Sequence, residues 1–215
     1  MKTTQKRAIE PPRVKFPDEA KYEWLPMLLD AFHIMDTGVL IELKAEEKRQ
    51  KTKVACHKSC SSCCLKPRIP ITPLEIVGLS WFCSEKMEEP FRRIVKSQIL
   101  SQNQSTQCPF LVDNICSVYL VRPLSCRIFF MFGAPCEKNK DPFKTRPQDM
   151  WRPSIEVAMK SAYKMFPYYG INNKKNMDKA FENGYIFKIA KEMHLCDLKP
   201  IYDIMELFDS AKKRG

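Results

Sequence analysis

The chain has 215 residues, of which 44% are hydrophobic, enough for one domain with a substantial core and too many for disorder along most of its length. It has 16 prolines but only six glycines, with no glycine-rich phosphate loop and no GxGxxG run, which argues against P-loop and Rossmann-type nucleotide enzymes. The formal net charge of +11 counts every cysteine as neutral, so thiolates bound to a metal would lower it.

The first residues, MKTTQKRAIEPPRVKFP, are basic but lead into no apolar stretch, and no window approaches the roughly 20 apolar residues of a membrane span. We therefore expect a cytoplasmic protein with no membrane partner. Ten cysteines in a reducing compartment indicate metal binding more often than disulfides.

In chain order, a leader over residues 1–17 is expected to be flexible, and helical spacing of apolar residues follows over about 18–50. The run TPLEIVGLSWFC predicts a helix from Pro73 to about Met87, because Thr72 and Glu75 form a capping box around a proline at the first helical position. A further helix is predicted from Glu89 to about Ser101.

Short apolar runs separated by turns at Asp113–Asn114 and Arg122–Pro123 then predict irregular structure. Helical patterns resume over Pro153–Phe166, Asn176–Met193 and Pro200–Lys212. The predicted fold class is mainly α, a helical domain around an irregular cysteine-rich metal-binding centre. It is one domain over 18–215, with 56–136 as the cysteine-cluster core and 150–215 as a helical C-terminal extension.

Eight cysteines carry the chemical signal. Four lie in the run CHKSCSSCC and four follow at wider spacing, so that a second segment must fold back over the first to complete a site. The predicted metal ligands are Cys56, Cys60, Cys63, Cys64, Cys108, Cys116, Cys126 and Cys136. The alternative, buried or incidental thiols, suits Cys83 and Cys196.

Cys63 and Cys64 are neighbours, with Cα atoms about 3.8 Å apart, shorter than the roughly 4.4–6.8 Å of a normal disulfide, so they are not expected to pair with each other. His57, beside Cys56, is a further candidate ligand. His33 and His194 have no partner at ligand spacing and are interpreted as structural.

Arg122 and Arg127 flank Cys126 and are candidate cofactor-binding residues, because a guanidinium can stabilise an anionic thiolate–metal centre or hold an anionic substrate group. Donation to backbone carbonyls is the alternative. Basic residues between Lys44 and Lys53 and at the C-terminus allow nucleic acid as a partner, but those lysines alternate with acids as on a solvated helix face, so nucleic-acid binding is not favoured.

The run CHKSCSSCC, then TPLEI, then CPFLVDNICSVYLVRPLSCR resembles the YkgJ-type cysteine-cluster family, also called the CxxCxxCC or zinc- or iron-chelating domain. The resemblance covers about Cys56 to Cys136 and implies bound iron or zinc. In one departure, three residues separate Cys56 from Cys60 where the family's name implies two, which makes Cys56 the first ligand to question.

The function expected is a cytoplasmic metal-binding protein holding an iron–sulfur cluster or zinc. A [4Fe–4S] centre is favoured because eight thiolates and adjacent arginines suit a larger anionic group. The family's cysteine motif is similar to that of flagellin lysine-N-methylases, which implies as one alternative a metal-dependent protein-lysine N-methyltransferase using S-adenosylmethionine on a protein substrate. A metal storage or delivery protein is the other, and the number of centres, one or two, stays open.

Overall fold

The computed structural model describes residues 11–57, 59–65, 68–102, 105, 107–137, 140–212 and 214. The fold is mainly α, as predicted, and the few strands are two residues long. Its helices are α1 (Trp24–Gln50), α2 (Pro73–Trp81), α3 (Phe91–Leu100), α4 (Pro142–Thr145), α5 (Ile155–Met165), α6 (Lys174–Glu182), α7 (Tyr185–Ile189) and α8 (Lys199–Lys212).

The long helix α1 forms the centre of the core. Its apolar stripe is buried against α2 and α5, and Leu25 and Leu28 are completely inaccessible to solvent. Gly38 permits the close approach of α5, because a Cβ on that glycine would lie 2.5 Å from the methyl groups of Val157. The helix begins at Trp24, later than predicted, since Pro17–Ala20 forms a separate 3-10 turn.

The sequence pattern predicted no window resembling a membrane span, but α1 is the one described helix that meets the criterion for such a span by length and composition. Seven of its residues are nevertheless buried in the core, namely Leu25, Leu28, Leu29, Ala31, Phe32, Met35 and Val39. Core helices of soluble proteins meet the same criterion, so this helix is weak evidence for a span.

The capping box at the start of α2 is confirmed. The backbone N–H of Glu75 donates to Thr72 Oγ1 over 3.4 Å, and Glu75 Oε2 accepts from the Thr72 N–H at 2.8 Å. The helix ends at Trp81 and continues as one π turn over Phe82–Lys86, so the predicted end near Met87 includes this turn.

The predicted helix over Asn176–Met193 is wrong as a single element. Gly184 has φ +64°, a conformation favoured by glycine, and it separates α6 from α7. The segment then becomes extended at Lys191–Glu192, and His194 lies in a 3-10 turn and not in a helix.

Among the described residues, the strands form three two-stranded antiparallel ribbons, of which one is a local hairpin and two join segments farther apart in the chain. β1 (Pro70–Ile71) pairs with β6 (Lys191–Glu192), β2 (Leu111–Val112) with β3 (Ile115–Cys116), and β4 (Phe130–Met131) with β5 (Met150–Trp151). The predicted turn at Asp113–Asn114 joins β2 to β3, with φ of 48° and 60° at its two residues, as in a two-residue type I′ hairpin.

Residues assigned to the leader contact the helical core where the structure describes them. Arg13 donates to Glu19 and to Asp30 of α1, and the ring of Phe16 meets Trp81 edge-on with centroids 4.9 Å apart. Residues 11–16 thus lie against α1 and α2 on the side of the domain that carries Trp81.

Candidate metal centre

The first cysteine is placed by a backbone contact with β4. Val54 bridges Phe132, the Ala55 N–H donates to the Met131 carbonyl at 2.7 Å, and the Met131 N–H donates to Cys56 Sγ at 3.4 Å. Cys56 therefore has a defined position beside β4 in spite of the extra residue before Cys60.

The loop that carries the next three cysteines is closed by its own hydrogen bonds. The Cys60 N–H donates to the His57 carbonyl at 3.0 Å, and the Cys64 N–H donates to the Ser61 carbonyl at 2.8 Å within a 3-10 turn over Ser62–Cys64. The Ser61 hydroxyl also donates to Asn114 Oδ1 at 2.9 Å, which fixes this loop against the β2–β3 turn.

The second cysteine segment does fold back over the first, as predicted. The Cys108 N–H donates to the Cys64 carbonyl at 2.8 Å, so the two residues lie side by side. The following hairpin places Cys116 opposite Leu111, whose N–H donates to the Cys108 carbonyl at 3.0 Å.

Cys126 lies in a 3-10 turn over Leu124–Cys126 that is anchored to α2. The Leu124 N–H donates to Glu75 Oε1 at 2.6 Å, and the Ser125 hydroxyl donates to the Pro70 carbonyl at 2.8 Å. Glu75 thus caps α2 with one oxygen and holds the Cys126 turn with the other. The sequence indicated only the first of these roles.

Contact with the hydrophobic core divides the eight cysteines into two groups of four. The inner cysteines, which belong to the core or pack against it, are Cys64, Cys108, Cys116 and Cys126. The outer cysteines, which lie outside that core, are Cys56, Cys60, Cys63 and Cys136. Cys63 is the exposed member, whereas Cys108 is only 6% exposed.

The inner thiols are protonated at neutral pH in this arrangement. Burial raises the pKa of Cys108 to about 12, and the charges of Cys116 and Cys63 add to the effect. Burial also raises the pKa of Cys126 well above its ordinary value, and the nearby Cys108, Cys63 and Cys116 contribute in the same direction. A metal that binds here must displace protons.

The adjacent thiols of Cys63 and Cys64 form a hydrogen bond. Cys64 donates, which lowers the pKa of the Cys63 thiol to about 7, and the positive charge of Arg122 acts in the same direction. The pKa of Cys64 is correspondingly raised. All ten cysteines are free thiols, in agreement with the expectation that these two neighbours do not form a disulfide.

The outer thiols influence one another. Burial raises the pKa of Cys56 to about 11, with smaller contributions from the charges of Cys60, Cys136 and Cys63. The pKa of Cys136 is also raised, chiefly by burial and then by Cys60, while Arg146 opposes the shift. Arg146 additionally donates to the carbonyls of Ala134 and Pro135, at 2.9 and 3.3 Å, and so shapes the approach to Cys136.

Arg127 is buried and joins the segment around Cys126 to α1. Its Nε donates to the Arg122 carbonyl and its Nη2 to the Leu120 carbonyl, each at 2.9 Å, while Nη1 binds the Asp36 carboxylate. The guanidinium carbon lies 4.0 Å from the centre of the Phe32 ring. Burial lowers the pKa of Arg127 to about 10, so the group remains charged at neutral pH.

Arg122 lies closer to the surface and nearer the thiols. It donates to the Tyr119 carbonyl at 3.2 Å, and its guanidinium stands 3.8 Å from the centre of the Tyr119 ring. Its charge favours the ionised form of both Cys63 and Cys116. Both arginines donate to backbone carbonyls, the alternative raised from the sequence, and Arg127 also binds the Asp36 carboxylate. A role toward a bound group stays a prediction.

Within the described residues, no three histidine, cysteine, aspartate or glutamate side chains form a group that could hold a metal ion. In the part of the chain that the structure describes, the eight thiols therefore differ in their contact with the core but are not closed into a coordination sphere. Thiols are nevertheless the donor set that zinc and iron–sulfur clusters use, so the residues present fit either group by their chemistry.

The other cysteines and histidines considered from the sequence are not members of the inner or outer group of cysteines. Cys83 is fully buried in the core, near Cys116, and fits the predicted role of a small hydrophobe. Cys196 donates to the Glu192 carbonyl at 3.5 Å in a different part of the chain. His194 lies 3.4 Å from Glu192 on the surface, and His33 lines a small cavity beside Asp36.

Residues 55–150, somewhat less than half of the chain, match the model of the CxxCxxCC family, described as a "putative zinc- or iron-chelating domain". Residues 55–150 are thus similar to the CxxCxxCC domain. The match begins just before Cys56, includes all eight clustered cysteines and ends at β5. No curated protein and no solved structure gives a significant match. The CxxCxxCC domain indicates a zinc- or iron-chelating function and a metal ion as partner.

Proposed function

We propose that this protein is a cytoplasmic metal-binding protein that holds an iron–sulfur cluster or zinc through the cysteines of its CxxCxxCC domain, with iron–sulfur preferred. The observation that carries the proposal is the gathering of two separate sequence segments, joined by the hydrogen bond from the Cys108 N–H to the Cys64 carbonyl, at 2.8 Å. Thiols that are far apart in the sequence become neighbours in this way, as a multidentate thiolate site requires.

The preference for iron–sulfur rests on the number and charge of the groups. Eight thiolates carry more negative charge than one zinc ion neutralises, and cationic Arg122 and Arg127 lie at the inner cysteines. Buried or partly buried cations of this kind stabilise an anionic centre and tune its reduction potential.

Anaerobic purification tests the proposal and its preference separately. Iron and acid-labile sulfide in a brown protein would support the cluster, whereas a colourless protein with stoichiometric zinc would support metal binding but overturn the iron–sulfur preference. Protein that neither retains nor takes up either metal would overturn the proposal. Cys196→Ser is the matched control, because it removes one thiol outside the motif and should leave the metal content unchanged.

The exposure of Cys63 favours a second candidate, metal storage or delivery. An exposed ligand is accessible to a competing thiol of an acceptor, so metal should then transfer to a modest chelator without loss of helix. If chelation instead unfolds the helices, the metal is structural. Protein-lysine methyl transfer stays a prediction from resemblance, and calorimetric titration with S-adenosylmethionine would test it.

A further inference from the structure

We propose that Arg146 is a positioning residue for Cys136, because its guanidinium holds the loop over residues 133–135 in the path that presents the Cys136 thiol to a metal. This inference rests on the proposed metal-binding function. Arg146 lies ten residues beyond Cys136 and therefore outside the segment 56–136 that the sequence indicated as the cysteine-cluster core.

The loop before Cys136 is not fixed by burial. Gly133, Ala134 and Pro135 are all exposed, and Cys136 is not among the residues that form the hydrophobic core or pack against it. Gly133 has φ +74°, a left-handed conformation that turns the chain two residues after β4. A surface loop with so little buried area keeps one path only where polar contacts hold its backbone.

Arg146 supplies such contacts. Its Nη2 donates to the Ala134 carbonyl at 2.9 Å and to the Pro135 carbonyl at 3.3 Å, and its Nη1 lies 3.5 Å from Asp149 Oδ2. The Pro135 carbonyl belongs to the peptide bond that joins Pro135 to Cys136, so the guanidinium holds the backbone at the cysteine itself. A planar guanidinium can bind carbonyls on one side and a carboxylate on the other, which a lysine ammonium does less well.

The backbone of Arg146 is itself attached to the β4–β5 ribbon. The Asp149 N–H donates to the Arg146 carbonyl at 3.1 Å, and the Phe132 N–H donates to the Asp149 carbonyl at 2.9 Å, next to the paired strands. In the same ribbon, the Met131 N–H donates to Cys56 Sγ at 3.4 Å. One ribbon therefore supports the first clustered cysteine directly and the last one through Arg146.

The extent of the similarity to the CxxCxxCC domain supports this role. The matched region runs past Cys136, through Arg146 and Asp149, and ends at residue 150 in β5. Residues 137–150 contain neither cysteine nor histidine, so in a thiol-based site their part is to support the ligands. The hydrogen bonds of Arg146 are contacts through which this segment can do so.

The first measurement compares Arg146→Ala with the matched control Arg152→Ala in the full-length chain, reduced and free of metal. Arg152 directly follows β5, and its guanidinium stands 5.8 Å from the centre of the Phe129 ring. Backbone order parameters from nitrogen-15 relaxation report how firmly the loop is held. They should be about 0.85 at Ala134 and Cys136 in the wild type and in Arg152→Ala, and should fall below about 0.6 in Arg146→Ala.

The second measurement is zinc affinity, with zinc as the probe metal and a chromophoric chelator as the competitor. Arg146→Ala should bind zinc about tenfold more weakly than the wild type, as expected when a group that orients a ligand is lost. Arg152→Ala should bind as the wild type does. Arg146→Lys keeps the charge and one donor but not the planar fork, so it should fall between the wild type and Arg146→Ala in both measurements.

Unchanged order parameters in Arg146→Ala, or low values already present in the wild type, would overturn the positioning role. So would an equal fall at Cys196, which lies in a different part of the chain, because it would indicate general loosening. A local fall without loss of zinc affinity would show that Arg146 orders the loop but does not serve the metal site. Absence of zinc uptake and of any as-isolated metal in the wild type would instead overturn the proposed function. If Arg146→Ala does not fold, Arg146→Lys against Arg152→Ala decides the question.

Discussion

Around α1, α2 and α5, apolar side chains at helical spacing interlock, and Leu25, Leu28 and Leu74 are completely buried. In the described parts of the two cysteine loops, 55–71 and 108–136, regular structure is limited to two-residue strands and 3-10 turns, and hydrogen bonds from the Ser61 and Ser125 side chains hold neighbouring loops. The first region is held mainly by buried apolar surface, whereas the second adds a few residues, such as Phe110, Leu111 and Val121, to the same core and is also held by polar contacts.

Each of the two regions also contains a buried arginine paired with one aspartate. Arg92 of α3 binds Asp209 and the Met205 carbonyl of α8, together with the carbonyls of Cys83 and Ser84 in the π turn. Arg127, next to Cys126, binds Asp36 together with two carbonyls. In both places a buried arginine holds two parts of the chain together. Arg92 joins helices, and Arg127 joins the cysteine segment to α1.

The largest expected effect is in the helical region. Leu28→Ala removes a side chain with no solvent exposure and should lower the free energy of unfolding by about 3 kcal/mol. The loss should be the same with and without metal, as measured by urea denaturation. Leu207→Ala on exposed α8 is the control and should change stability by less than about 0.5 kcal/mol. A metal-dependent effect of Leu28→Ala would show that the two regions are not independent.

The two buried arginines give the sharpest contrast. Arg92→Ala and Arg127→Ala should each cost about 2–3 kcal/mol, because each leaves buried carbonyls without a donor and removes one of the two cationic partners of a carboxylate. Only Arg127→Ala should also lower the metal content per chain, measured by elemental analysis. Equal metal content in both variants would mean that Arg127 supports the fold alone.

The helical region was largely predictable because its signals are local. Apolar spacing identified α1, and Thr72 with Glu75 identified the start of α2. The error at Asn176–Met193 arose because the helical pattern was extended through Gly184, whose positive φ ends one helix and begins the next. Glycine disfavours the interior of a helix, but a prediction based on apolar spacing takes no account of the glycine.

The cysteine segment was predictable in its composition but not in its arrangement. The motif identified the eight thiols, yet the grouping of Cys64 with Cys108 depends on a contact between residues far apart in the chain. Asp36 gave no signal at all, because an aspartate in a long helix is usually solvated, and its partner Arg127 lies in a distant turn. Such pairs are set by tertiary structure.

A smaller effect is expected at the junction of the two regions. Glu75→Gln places an amide N–H₂ against either the Leu124 or the Thr72 N–H donor and should cost about 2 kcal/mol. Hydrogen exchange should accelerate at the amides of Leu124 to Cys126. Thr72→Ala is the control, costing about 1 kcal/mol through the cap while leaving that turn protected. If the amides of Leu124 to Cys126 exchange at the same rate in both variants, Glu75 serves only as a helix cap.

The smallest effect is expected in the β2–β3 turn. Asp113 has φ of 48°, so a β-branched side chain is strained there, and Asp113→Val should cost about 1 kcal/mol whereas Asp113→Gly should cost nothing. Asp203→Val on α8, which removes only the exposed pair with Lys199, should cost about 0.5 kcal/mol or less. Thermal denaturation of the metal-free proteins measures all three. Equal costs for the two valines would show that the positive φ of Asp113 does not strain a β-branched side chain in this turn.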